Sequence, residues 1–130
     1  MIGLDTSAII DIFRGDEKIK KFLENNKEPL VVSIINYLEL FFGLDIKYPK
    51  YLDEIKFYKG FFDDLYNFDL TKESCEMTSE IFQELKMKGK LIEQFDCIIA
   101  AIFITNGVNK ILTRNVKHFE NIKELNVISY

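Results

Sequence analysis

The chain of 130 residues has no tryptophan, one histidine, two cysteines and two prolines. Each shortage closes a route. With His118 as the sole histidine, no histidine-rich metal centre can be built, and the residue reads as a surface or supporting group, not a ligand. Cys75 and Cys97 lie far apart and outside any CxxC pattern, so they offer no zinc-site spacing. Both read as buried thiols of a reducing compartment. No apolar run is free of charge for the length a membrane span needs. The start of the chain lacks the basic segment and small-residue cleavage site of a signal peptide, so a cytoplasmic protein is expected. Positive charge is short as well. Seventeen Lys and Arg stand against 21 Asp and Glu, a net charge of −4. A generic nucleic-acid binder usually carries a basic surface instead.

What is present is apolar. At 48% hydrophobic the chain can bury a core of its own. Its length fits one domain over residues 1–130. The organising stretch is Gln94 to Gly107, a helix-like segment with almost no polar face. Such a helix is normally buried on most sides. Asp96 in its first turn is the only charge between Glu93 and Lys110. Asp5 is likewise the only charge from Met1 to Ile10, and Glu39 the only one from Pro29 to Leu44. Each acid alone has an ordinary reading. Asp96 and Asp5 suit helix N-termini, and Glu39 suits the wet edge of a buried helix. Together they are three remote segments, each placing one carboxylate among apolar residues, where an unpaired charge is costly. Clustered carboxylates repel, and a divalent ion such as Mg²⁺ offsets that cost while accepting waters and phosphate oxygens.

Periodicity places these acids. Residues 1–5 and Leu30 to Ser33 read as buried strands, Tyr66 to Leu70 and Lys110 to Thr113 as two more, and Val127 to Ser129 as a short fifth. Helical spacing covers Ser7 to Arg14, Glu17 to Asn25, the Glu39 segment capped by Ser33, Lys50 to Leu65 with Gly60 as a weak point, and a segment from Thr71 or Lys72 to Met87. A loop and short helix are expected around Phe119 and Ile122. Strands alternating with helices imply a parallel sheet covered on both faces. Ligands of such sheets bind at the carboxyl ends of the strands. Asp5, Asp96 and the Thr113-Arg114-Asn115 run fall at that edge, and Glu39 reaches it from the helix after the second strand. Phe41, Phe42, Phe57, Tyr58, Phe61 and Phe62 exceed what a small sheet needs, so part of that surface is expected to meet a second copy or a partner helix. Lys86, Lys88 and Lys90 before the Asp96 helix, and Arg114 and Lys117 after it, read most simply as solvated charges.

Leu4-Asp5-Thr6-Ser7, Glu39-Leu40-Phe41-Phe42-Gly43, Asp96-Cys97-Ile98-Ile99-Ala100-Ala101 and Leu112-Thr113-Arg114-Asn115-Val116-Lys117-His118-Phe119 occur in that order across essentially the whole chain. In these pieces the sequence resembles the PIN-domain ribonucleases, specifically the VapC-like toxins of prokaryotic toxin–antitoxin pairs. The resemblance implies an α/β fold with a parallel sheet of four to five strands in order 3-2-1-4-5 and helices on both faces. It also implies Mg²⁺- or Mn²⁺-dependent endonucleolytic cleavage of RNA, homodimerisation, and inhibition by a cognate antitoxin. Asp5, Glu39 and Asp96 match the family's acidic triad, with Asp5 and Asp96 as direct metal ligands and Glu39 bound directly or through water. Thr6 and Thr113 match supporting hydroxyls. Many members carry a fourth acid where this chain has Asn115, which can orient a water or a carboxylate but cannot act as a base. Arg114 or Lys117 is available to steady a phosphate. Two other classes compete: a catalytically inactive PIN-like module that binds RNA or protein, supported by Asn115, and a phosphate-accepting receiver domain. The latter wants neighbouring acids at the end of the first strand and another ending the third. Asp69 loosely fits that second place, but Asp5 stands alone.

Overall fold

The computed structural model describes residues 1–130. In chain order the elements are β1 (Ile2–Leu4), α1 (Thr6–Arg14), α2 (Glu17–Asn25), β2 (Leu30–Ser33), α3 (Ile34–Phe42) and α4 (Tyr51–Asp64). They continue with β3 (Tyr66–Phe68), α5 (Lys72–Met87), α6 (Gln94–Thr105), β4 (Lys110–Leu112), α7 (Val116–Phe119) and β5 (Asn126–Ile128). The five strands form one sheet in the order β3-β2-β1-β4-β5, and every pairing is parallel. No helix is long and apolar enough to cross a membrane.

Strand side chains alternate between faces, and the two faces carry separate cores. Val31 and Ile111 join Ile81, Leu85 and the α6 residues Ile99 to Phe103 on one face. Ile2, Leu4, Val32 and Leu112 join Ala8, Ile9, Ile19, Tyr58 and Phe62 on the other. Helix α3 crosses the edge between them, giving Ile35 to the first core and Leu40 to the second. Gly3 sits where α6 comes closest. A Cβ there would lie 2.5 Å from the Phe103 ring, so any side chain would force that buried ring to move.

The helix ends follow from local chemistry. Gly15 closes α1 at φ 71°, the left-handed conformation that glycine tolerates best. Asp16 caps α2 by accepting from the Lys18 and Ile19 amides. Ser33 caps α3 in a reciprocal box with Asn36, and Thr71 caps α5 in the same way with Ser74. Gly60 does not interrupt α4, because Tyr58 and Phe62 on either side are anchored in the core.

One expectation is corrected. Cys75 is exposed on α5, and only Cys97 is a buried thiol. The aromatic surplus is largely absorbed, since Tyr58 and Phe62 are buried and Phe41, Phe57 and Phe61 pack against the second core. Phe42 is the exception, 69% exposed, with its ring stacked 6.1 Å from that of Phe95.

Candidate metal and phosphodiester site

The tight turn from β1 into α1 places Asp5 at the carboxyl end of the central strand. Its amide donates to the Leu112 carbonyl, continuing the β1–β4 pairing by one residue. Asp5 holds the N-cap position of α1, yet its side chain caps nothing. Its Oδ2 instead accepts from the hydroxyls of Ser7 and Thr113, each at 2.7 Å. Thr113 is in turn fixed by the backbone N–H of Asn115, which donates to its Oγ1 at 2.9 Å. Asp96 lies in the first turn of α6 and caps no amide. Its Oδ2 accepts from His118 Nδ1 at 2.7 Å. Glu39, one turn before the end of α3, accepts from the Thr6 hydroxyl at 2.7 Å through Oε1. The Asn36 side chain donates to that same Thr6 oxygen at 3.0 Å.

A common rule governs the three acids. Each uses one oxygen on a protein donor and leaves the other, Asp5 Oδ1, Asp96 Oδ1 and Glu39 Oε2, without a protein partner. None of these free oxygens is sealed from solvent. They border a single cleft of about 270 Å³ whose lining includes Asp5, Thr6, Ser7, Glu39, Glu93 and Asp96. Arg114, Asn115 and His118 close its other side. Lys117 is exposed and does not line it. Asp69 is exposed after the edge strand β3 and is also outside the cleft, which removes the second acid that a receiver domain needs. A larger hollow of about 600 Å³ lies beside α2, lined by Lys18, Lys21 and Lys27, but it brings together no reactive set. Size alone does not make a site; convergent polar groups do.

The cleft is electrostatically strained. Burial raises the Asp96 carboxyl from 3.8 to about 6, and the Asp5 charge adds to this, against the opposing bond and charge of His118. Glu39 is also raised, first by burial, and then by the charges of Asp96, Asp5 and Glu93, with the Thr6 hydroxyl opposing. Negative groups forced together in a partly dry cleft are the arrangement a cation relieves.

The donor set fits a hard divalent ion, because the free atoms are all carboxylate oxygens. As the side chains stand, no three His, Cys, Asp or Glu groups form a ready chelating cage. That is compatible with Mg²⁺, which keeps several waters and takes only one or two carboxylates.

Sequence reasoning misses several of the supporting groups. Ser7 does not stand out in the sequence, although it is two residues from Asp5. Asn36 is fully buried, with its amide oxygen on Ser33 and its amide nitrogen on Thr6. A lone amide in an apolar run is the same kind of signal that singles out Glu39. For His118 the sequence leaves a surface and a supporting role open, and the bond of its ring to Asp96 makes it the latter.

The PIN-domain family matches residues 2–125. The chain belongs to that family. This PIN domain is 32% identical over 129 residues to ribonuclease VapC1 of Methanocaldococcus jannaschii, covering 99% of the chain and 86% of that relative. Its fold superposes with a TM-score of 0.83 on a chain in the structure of VapBC2 from Rickettsia felis bound to a promoter DNA fragment, at 26% identity, covering 100% of this PIN domain and 99% of that chain. A chain in the DNA-bound VapBC structure from Salmonella typhimurium gives 0.82 at 26% identity, covering 99% and 98%. A chain in the VapBC-1 structure from nontypeable Haemophilus influenzae gives 0.81 at 26% identity, again covering 99% and 98%.

Proposed function

We propose that this PIN domain is a Mg²⁺- or Mn²⁺-dependent endoribonuclease, the toxin of a toxin–antitoxin pair. One observation carries the reading: Asp5, Glu39 and Asp96, from three remote segments, border one cleft, and each has one oxygen held and one free. The relative named as a ribonuclease and the VapBC complexes among the structural neighbours support the same assignment. By the same analogy its partner is a cognate antitoxin, and the family resemblance adds a second copy of itself.

Asp5 and Asp96 would hold the ion, with Glu39 joining directly or through water. Bound there, Mg²⁺ or Mn²⁺ supplies a Lewis acid that activates water and offsets charge building up on the phosphodiester. The chain's own residues do the rest. Ser7 and Thr113 keep the free oxygen of Asp5 turned to the cleft. His118 does the same for Asp96, and the Asn36–Thr6 relay does so for Glu39. Such supporting bonds fix ligand orientation and raise affinity. Arg114, at the rim, offers guanidinium donors to a phosphate of single-stranded or looped RNA.

The deciding experiment is incubation of antitoxin-free protein with a mixed RNA pool, with Mn²⁺ and with chelator, followed by mapping of the cut ends. Metal-dependent cuts are expected. Their absence, or their persistence in Asp5→Asn, would sink the proposal. Asn115, in place of a fourth acid at the rim, favours a second reading as an inactive RNA- or protein-binding module. Isothermal titration with Mn²⁺ separates the two, because an inactive module shows no tight site.

A further inference from the structure

Besides Asp5 and Asp96, a third buried acid lies near the cleft but outside it. Asp11, on the second turn of α1, is only 4% exposed. Its Oδ1 accepts from Arg114 Nη1 at 2.6 Å, and its Oδ2 accepts from the Tyr130 hydroxyl at 2.6 Å. Burial and the bond to Asp11 push the Tyr130 hydroxyl upward, so it remains a donor at all ordinary pH values. The backbone joins this assembly to the metal side, because the Arg114 amide donates to Ser7 Oγ at 3.2 Å and Ser7 donates to Asp5.

The form of the Asp11–Arg114 contact is informative. A guanidinium and a carboxylate left to themselves pair side on, through two parallel bonds. Here Tyr130 occupies the second carboxylate oxygen, and Arg114 makes a single-point contact. Of its five N–H donors, only Nη1 has a protein acceptor. The Arg114 side chain is 51% exposed, and Arg114 is the only Lys or Arg lining the acidic cleft. A purely structural ion pair has no need of an open fork at that rim.

We propose that Asp11 is a positioning residue: together with Tyr130 it holds Arg114 end on, so that the unused guanidinium donors grip a phosphate of the RNA strand beside the cleavage point. This rests on the nuclease reading of the cleft and adds Asp11 and Tyr130 to it. Asp11 touches no substrate. Its effect is on where Arg114 stands, and therefore on substrate binding more than on the chemical step.

The test uses the full chain in two formats, cleavage kinetics with Mn²⁺ and anisotropy of a labelled single-stranded RNA on an Asp5→Asn background. Asp11→Asn and Arg114→Ala should each raise KM and Kd by about tenfold, the scale of one charge-assisted contact, with kcat little changed. The double variant should be no worse than either alone, as expected for residues acting as one unit. The slope of log Kd against log salt should fall by about 0.7, the loss of one phosphate contact on a single strand. A structural role alone would not move that slope. Lys123→Ala, which removes a surface cation paired with Glu84, serves as the charge control. Tyr130→Phe frees the second Asp11 oxygen, lets Arg114 close side on, and should weaken RNA binding in a chain that still folds. It decides the matter if Asp11→Asn fails to fold.

Unchanged Kd and salt slope in folded Asp11→Asn or Tyr130→Phe would overturn the proposal, as would additive effects of Asp11→Asn and Arg114→Ala. The two levels fail differently. RNA binding that depends on Asp11 but comes without metal-dependent cuts removes the nuclease reading and keeps the positioning role. No RNA binding at all removes both.

Discussion

Two groups of buried acids stand side by side on the same sheet edge, and they are treated in opposite ways. Asp5 and Asp96 are 3% and 7% exposed, and Asp11 is 4% exposed. Burial therefore does not separate them; hydrogen-bond accounting does. Both oxygens of Asp11 are engaged, one by a guanidinium and one by a phenol. In the cleft Asp5, Glu39 and Asp96 each have one oxygen engaged and one free, and like charges face one another. A satisfied buried acid holds structure in place, whereas half-satisfied buried acids store repulsion that a cation can relieve. The contrast teaches that a functional carboxylate is recognised by what it lacks.

The comparison breaks most visibly in activity. Asp5→Asn should reduce metal-dependent RNA cleavage at least on the order of a hundredfold while circular dichroism shows an intact fold. Next in size is ligand-induced stability. Mn²⁺ at about a hundred times its Kd should stabilise the wild type by about 2.7 kcal/mol, read as a rise in Tm. Asp96→Asn should lose most of that rise, and Asp11→Asn should keep it. An equal Mn²⁺ response in Asp96→Asn would erase the distinction between the two groups.

Substitution without metal should then change stability in opposite directions. Asp11→Asn gives up charge-assisted bonds in a buried place and should cost about 2 kcal/mol. Asp96→Asn removes a charge that its neighbours oppose and should raise the Tm of the metal-free protein at pH 7.5. The smallest effect is in pH. Because the folded protein raises Asp96 from 3.8 to about 6, it binds more protons than the unfolded chain within that window. The Asp96 contribution is therefore unfavourable above about 6, fades as pH falls through the window, and is gone below 3.8. Glu39 shifts in the same direction. Metal-free wild type should thus gain a few degrees in Tm between pH 7.5 and 5.5, Asp96→Asn should gain less, and saturating Mn²⁺ should reverse the sign. A scan in which all three behave alike would show that the cleft is not strained.

Much of the fold is legible in the order of the residues. The runs Leu30 to Ser33 and Glu17 to Asn25 match β2 and α2 to the residue, because their boundaries are set by neighbours in sequence: Asp16 and Asn25 at the ends of α2, and Ser33 at the junction with α3. The exposure of Cys75 is not legible, because apolar character does not say which face of α5 meets the sheet. Nor is the fate of the aromatic residues of α3 and α4, which depends on how those two helices meet over the second core.

The sequence by itself determined the identity of the lone acids and their place at strand and helix ends, because a single charge in an apolar run shows up as a break in local pattern. Only the tertiary structure decided that Ser7, Asn36 and His118 are their supports and that Asp11 is of another kind. Those distinctions rest on which oxygen of each carboxylate finds a donor, and the donors come from as far as 119 positions along the chain. A hydrogen bond is a matter of a few tenths of an ångström and an angle, and such relations between remote residues exist only once the sheet has brought them together.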